Sequence, residues 1–150
     1  MSNTNWDSPH GMGNRQNLTS VADMFKLCEK ALRMPLLRKV MTTKVYSCKP
    51  MRDDGQGNLV PGSRYVWINT NRLLGVDGIT GLKPGWTPQA GHCLAISYHK
   101  EGHNFVVVTV QGKSKMHFWT EIQELIDWAI WRKKQLSVVP AAKVQRPVQT

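Results

Sequence analysis

Long apolar runs are missing from these 150 residues. No stretch approaches the roughly 18 consecutive apolar residues of a membrane span, so a spanning helix is excluded as a reading. The polar start Met1-Ser2-Asn3-Thr4-Asn5 has no signal-peptide shape, and localisation stays unknown. Cysteines are scarce: Cys28, Cys48 and Cys93 are odd in number and show no C-x-x-C spacing. That argues against a disulfide framework and a zinc site, and buried free thiols are the expectation. Acids are few, ten against twenty Lys and Arg, for a formal charge of +10. Such a balance favours an acidic partner (nucleic acid, anionic lipid or an anionic cell-wall polymer) without choosing among them. Most of the six tryptophans sit inside apolar patterns and read as core rather than as base-stacking platforms. No nucleic-acid recognition motif is present, so no specific nucleic-acid partner is expected.

What is there suffices for one ordinary domain, with 41% hydrophobic residues. The chain is organised around Gly78 to Gly91, fourteen residues with four glycines, two prolines and the single lysine Lys83, followed by the apolar run Cys93 to Tyr98. Glycine tolerates positive φ and proline removes a donor, so the backbone here turns sharply or lets something approach closely. A plain loop leading into a strand has the same composition.

Upstream, Ser20 with Asp23 three residues on is an N-cap for a helix to about Leu32, with Met24, Leu27, Cys28 and Ala31 on one face. Pro35 suits the first turn of a short helix from Leu36 to Met41. Thr42 to Cys48 and Arg64 to Ile68 read as paired strands, with an exposed loop from Asp53 to Gly62 between them. The asparagines of Asn69-Thr70-Asn71 are expected to hydrogen-bond backbone locally. His92 to His99 and His103 to Gln111 form a hairpin across Lys100-Glu101-Gly102, and Phe105 to Val110 is apolar enough to be covered on both faces. His99 and His103 flank that turn without a third ligand, so no metal is assigned. Lys115 to about Lys134 is the longest helix, with a stripe of Phe118, Ile122, Leu125, Ile126 and Ala129. Its Arg132-Lys133-Lys134 end suits a helix C-terminus. Residues 135–150 form a basic tail expected to be disordered.

Lys83-Pro84-Gly85-Trp86-Thr87-Pro88-Gln89-Ala90-Gly91-His92-Cys93-Leu94 resembles the Lys-Thr-Gly strand of serine-type D-Ala-D-Ala carboxypeptidases, the low-molecular-weight penicillin-binding proteins, which read D-G-I-K-T-G-Y-T-x-x-A-G-Y-C-L there. Asn3 to Met12 resembles the family's N-T-x-F-x-N-P-H-G-L loop, in which His10 shapes the domain rather than catalysing. Thr19 to Met24 and Pro35 to Tyr46 resemble S-T-A-x-D-M-A and N-P-x-F-R-x-I-V-S-T-K-x-Y, and Asn69 to Leu74 resembles N-T-N-x-L-L, all in the family's order. Asp77-Gly78-Ile79-Thr80-Gly81 competes for the triplet as D-G-I-K-T-G without its lysine. The unbroken downstream match favours Lys83-Pro84-Gly85 and implies a short insertion before Lys83.

The resemblance covers residues 3–131, the C-terminal half of the family's catalytic domain. It implies an α+β, partial β-lactamase/transpeptidase-like fold: an antiparallel sheet of about three strands plus a small hairpin, N-terminal helices, and a long C-terminal helix packed on the sheet. Residues 1–134 would be that incomplete catalytic domain. The implied chemistry is acyl transfer by a serine within S-x-x-K, assisted by S-x-N, without cofactor or metal. Neither motif stands here, since Ser97-Tyr98-His99-Lys100 falls on a strand end rather than opening a helix. The chain alone is therefore expected to be inactive, with no catalytic residue of its own and with Lys83, Pro84, Gly85, Trp86 and Thr87 as substrate-binding positions. Pro84 replaces a threonine hydroxyl and lacks an N–H, so it fits an edge strand. Thr80 or Thr87 is the candidate substitute hydroxyl. Trp86 sits where a backbone N–H lines the family's oxyanion hole. Implied partners are a D-Ala-D-Ala peptide or β-lactam once a complementary half is supplied. That complementary chain, or a second copy, would pair with the strand at 103–111, an open edge in this half-domain. The family is usually exported, and this chain encodes no export signal. The alternative is a non-catalytic binding or interaction protein derived from the fold.

Overall fold

The computed structural model describes residues 1–12 and 15–138. The N-terminal loop is tied down by one antiparallel bridge, Asn5 to Leu18, and by Asp23, whose carboxylate accepts the Asn3 N–H and the Thr4 hydroxyl, both at 2.9 Å. His10 Nδ1 accepts the Met12 N–H at 3.0 Å, which makes it a turn-former. Ser20 caps helix α1 (Val21–Leu32) by accepting the Asp23 N–H. Cys28 faces inward and is buried, and burial pushes its thiol pKa up. Pro35 opens α2 (Pro35–Thr42), its locked φ preorganised for a first turn that needs no N–H.

Strand β1 (Val45–Cys48) pairs antiparallel with β4 (Tyr65–Ile68), as their β-branched and aromatic content implies. Between them the expected loop carries a further hairpin, β2 (Met51–Asp53) with β3 (Leu59–Pro61). Asp54 closes its turn by accepting the Gln56 and Asn58 N–H groups. The Asn58 side-chain amide first, and then these backbone bonds, hold the Asp54 carboxyl below its ordinary range.

The main sheet is built on β7 (Gly91–Lys100). On one side it pairs with β5 (Ile79–Gly81) and β6 (Pro84–Thr87), which follow one another along the same edge. On the other side it pairs with β8 (His103–Gly112) through the Glu101-Gly102 turn, where both residues have positive φ. The result is a four-stranded sheet, one strand more than the three or so expected, because the bulged β5 and the regular β6 share one edge of β7. Among the described residues β8 has β7 as its one sheet neighbour. His99 and His103 do not meet across the turn: His99 bonds Asn104, and His103 stacks on Phe105.

Alternation along β7 sends Leu94, Ile96 and Tyr98 to one face and Ala95 and Ser97 to the other. The first face receives α3 (Lys115–Val138) through Phe118, Ile122 and Ile126, all buried. The second packs Ala95, Val106 and Val108 against Cys28 and Leu32 of α1. Strand β8 is thus covered on both faces, as its apolar run implied.

Two expectations about α3 are corrected. Leu125 is 40% exposed, because residues four apart stay aligned and the buried stripe is 118, 122 and 126, flanked by Trp119 and Ile130. The helix also runs through Gln135 to Val138, so those residues are not disordered tail. The backbone there still satisfies its hydrogen bonds one turn back, and Ser137 Oγ donates to the Lys133 and Lys134 carbonyls. The rest of the tail lies outside the described residues.

Candidate functional site

The lysine strand is reached through Asn69 and Asn71. Their side-chain oxygens accept the local N–H groups of Asn71 and Leu73, as expected. Their amide nitrogens also reach farther, Asn69 to the Met41 and Thr43 carbonyls and Asn71, buried, to the Gly81 carbonyl. Those acceptors lie up to 28 residues away, so no local pattern could announce them.

Between Ile79 and Gly81 the pairing with β7 shifts register, a bulge at Thr80. Leu82 then adopts φ 74°, the left-handed region, and buries its side chain with Cys28 and Ala95. Regular pairing resumes at Lys83, whose N–H and C=O both bond Ala95.

That bonded pair decides which groups of β6 face outward. In an antiparallel ladder, alternate residues turn their backbone groups toward the partner and away from it. With Lys83 bonded inward, Gly85 and Thr87 also face β7, while Pro84 and Trp86 present their backbone to the open edge. Pro84 thus stands at a position whose missing N–H costs the sheet nothing. The outward groups are the Pro84 C=O and the Trp86 N–H and C=O. The Lys83 ammonium, solvent-exposed, bonds the Pro84 carbonyl and makes no ion pair among the described residues. A β-carbon built on Gly85 meets nothing within 4 Å, so space beside the strand is open. The Trp86 indole, 60% exposed, lies 6.1 Å from the His92 ring, which in turn neighbours Phe118.

The two candidate hydroxyls are placed differently. Thr80 Oγ1 bonds the buried Ser97 Oγ at 2.9 Å and the Ser97 carbonyl, committed to the α1 side of the sheet. Thr87 Oγ1 accepts the Ala90 N–H at 3.0 Å and keeps its own proton free to donate. Ser97 and Lys100 do not converge, because strand alternation sends them to opposite faces and Lys100 pairs with Asp77. Asp77 holds the Lys100 ammonium above its ordinary pKa. Among the described residues no cluster of His, Cys, Asp or Glu suits a metal, and no helix is long and apolar enough to cross a membrane.

A family model described as D-alanyl-D-alanine carboxypeptidase matches residues 1–114. The chain is 30% identical over 113 residues to the D-alanyl-D-alanine carboxypeptidase of Streptomyces sp. (strain K15), covering 75% of this chain and 38% of that protein. It is 22% identical over 130 residues to D-alanyl-D-alanine carboxypeptidase DacF of Bacillus subtilis (strain 168), covering 86% and 31%. The crystal structure of the Streptomyces K15 DD-transpeptidase superposes with a TM-score of 0.74 at 26% identity, over 85% of this chain and 47% of that one. Penicillin-binding protein D2 of Listeria monocytogenes, in its cefotaxime-bound form, shares the fold with a TM-score of 0.61 at 20% identity, over 83% and 47%. The chain therefore spans about half the length of the solved relatives and about a third of the curated ones.

Proposed function

From the premise that this chain belongs to the D-alanyl-D-alanine carboxypeptidase family, we propose that its 150 residues supply the substrate-binding half of a serine acyl-transfer site. The serine, its lysine and the S-x-N segment come from outside these residues. In this reading α1 to α3 and the sheet make up the incomplete catalytic domain. Lys83 attracts the terminal carboxylate of an extended D-Ala-D-Ala peptide. The Pro84 carbonyl and the Trp86 backbone groups pair with that peptide as one more strand. The Trp86 N–H, aimed out of the sheet, donates to the oxyanion formed when the serine attacks. The observation that carries this reading is the double Lys83–Ala95 backbone pairing, which turns the Trp86 N–H to the open edge. Thr87, whose hydroxyl keeps a proton to donate, is the remaining candidate hydroxyl on β6, on the Lys83 face and opposite that of Pro84. The open edge of β8 accepts a strand from the complementary part of the domain, or from a second copy.

Capture of a fluorescent penicillin tests this. The 150-residue chain alone should not be labelled, since covalent capture requires a nucleophile. Co-expression with the S-x-x-K and S-x-N segment of a family relative should restore labelling, and Lys83→Ala should then lower its rate about tenfold or more. Labelling of the chain alone would overturn the reading. A second reading, a non-catalytic binding protein, is favoured by one observation: Pro84 has no hydroxyl and Thr80 is committed elsewhere. Non-covalent binding of a D-Ala-D-Ala peptide, with no labelling after completion, would select it.

A further inference from the structure

Three residues carry the chain from β5 into the lysine strand, and the middle one is strained. Gly81 is the last residue of β5 paired with β7, Leu82 follows at φ 74°, and Lys83 resumes regular pairing with Ala95. A residue with a β-carbon in the left-handed region sits above its ordinary minimum. The Gly81 C=O and the Leu82 N–H share one rigid peptide plane. Relaxation of Leu82 toward negative φ turns this plane and the strand hinged on it, and the glycine on the other side resists no ψ. The Asn71 amide holds the plane: its Nδ2 donates to the Gly81 carbonyl at 3.2 Å, from a residue only 3% exposed. Asn71 is itself braced. Its Oδ1 accepts the Leu73 N–H at 3.1 Å, and its own N–H goes to Asn69 Oδ1 at 2.9 Å. The Asn69 amide in turn donates to the Met41 and Thr43 carbonyls at the end of α2. A connected set of bonds thus runs from α2 to the peptide plane ahead of Lys83.

We propose that Asn71 is a positioning residue for the substrate edge: through Gly81 it keeps Leu82 left-handed, and so fixes where β6 sets the Lys83 ammonium and the Trp86 N–H. Its part in acyl transfer rests on the reading above, whereas its hold on β6 does not. The position asks for a short side chain with both a donor and an acceptor, because the donor meets Gly81 and the acceptor meets Leu73. Ionised aspartate has the size and the acceptor but lacks the donor, and it sets a carboxylate oxygen against the Gly81 carbonyl. Asn71, Gly81 and Leu82 are all buried within these 150 residues. A segment supplied from outside therefore neither makes this bond nor replaces it.

Hydrogen exchange followed by NMR on the 150-residue chain reads the positioning without any substrate. In Asn71→Asp the Lys83 N–H, bonded to Ala95 in the native chain, should lose protection about tenfold or more, while amides of the β7–β8 ladder keep theirs. Asn71→Ala, which buries no charge, should do the same, and is read instead if melting shows the aspartate variant unfolded. In a Leu82→Gly background, where glycine accepts φ 74° freely, Asn71→Ala should cost Lys83 about a third as much protection or less. Unchanged protection at Lys83, an equal loss along β7–β8, or an undiminished loss in the Leu82→Gly background would each overturn the proposal. Penicillin labelling of the protein completed with the S-x-x-K and S-x-N segment tests the consequence. Asn71→Ala should lower the acylation rate constant about tenfold with initial binding changed less than about threefold, because the long Lys83 side chain still reaches a carboxylate while the Trp86 N–H is displaced. Ile126→Ala, a packing loss in α3, should leave that rate constant unchanged. Equal rate constants in wild type and Asn71→Ala, or the same slowing by Ile126→Ala, would overturn the part in acyl transfer. A completed wild-type protein that takes no label counts against the acyl-transfer reading, and the exchange result still decides the positioning.

Discussion

Replacing Ile126 by alanine tests how α3 is seated. Ile126 is fully buried against the β7 face, while its neighbour Leu125 is 40% exposed. Ile126→Ala removes three buried carbons, about 2.4 kcal/mol at ~0.8 kcal/mol each. A residual cavity on the order of 50 Å³ adds about 1 kcal/mol at ~24 cal/mol per Å³. The expected loss is therefore about 3.5 kcal/mol, within the usual range for such truncations. For a chain of this size that is a fall in Tm of roughly 10 °C. Leu125→Ala, losing only partial burial, should cost about 1 kcal/mol or less. Urea unfolding measures both as a shift in midpoint at unchanged slope. If Leu125→Ala proves as damaging as Ile126→Ala, the helix is rotated from the orientation described and the stripe of Phe118, Ile122 and Ile126 is wrong.

Asp23 should couple the N-terminal loop to pH. Its carboxyl is held below the ordinary range, first by the Asn3 N–H, then by the Thr4 hydroxyl and Lys26. A depressed folded pKa contributes stability that is present above about pH 4 and is lost as pH falls through the folded value. Hydrogen exchange at Asn3 and Asn5 should accelerate below about pH 4, and Asp23→Asn should abolish that dependence. Gly112→Ala places a β-carbon 2.7 Å from Phe118 and 3.1 Å from the His92 carbonyl, and should cost about 1–3 kcal/mol by thermal melting. At Leu82, φ 74° penalises any residue with a β-carbon. Leu82→Gly should therefore retain at least as much stability as the larger Leu82→Ala, a reversal of the usual order for core truncations.

Much of this molecule was legible from local chemistry. The Ser20 cap, Pro35 at the start of α2, the glycine turn at 101–102 and the β-branched strands are each decided by a few neighbouring residues, so composition and spacing suffice. The order of motifs around Lys83 likewise resembles the carboxypeptidase family on residues alone. Helical period alone does not say which of Leu125 and Ile126 meets the sheet, and only Ile126 does.

What the sequence determined by itself was the three helices, the β1–β4 pair, the β7–β8 hairpin, their order and the family, while the β2–β3 hairpin and β5 came only with the structure. What only the tertiary structure decided was which atoms face where. The bulge at Thr80 and the left-handed Leu82 set the register, and that register turns the Trp86 N–H outward and puts Pro84 where its missing donor is harmless. Asn71 fixes the strand through a carbonyl ten residues on. Side-chain period and turn chemistry act over a few residues. Register, faces and grooves arise from pairings between distant segments, where one inserted residue turns every later group to the other side.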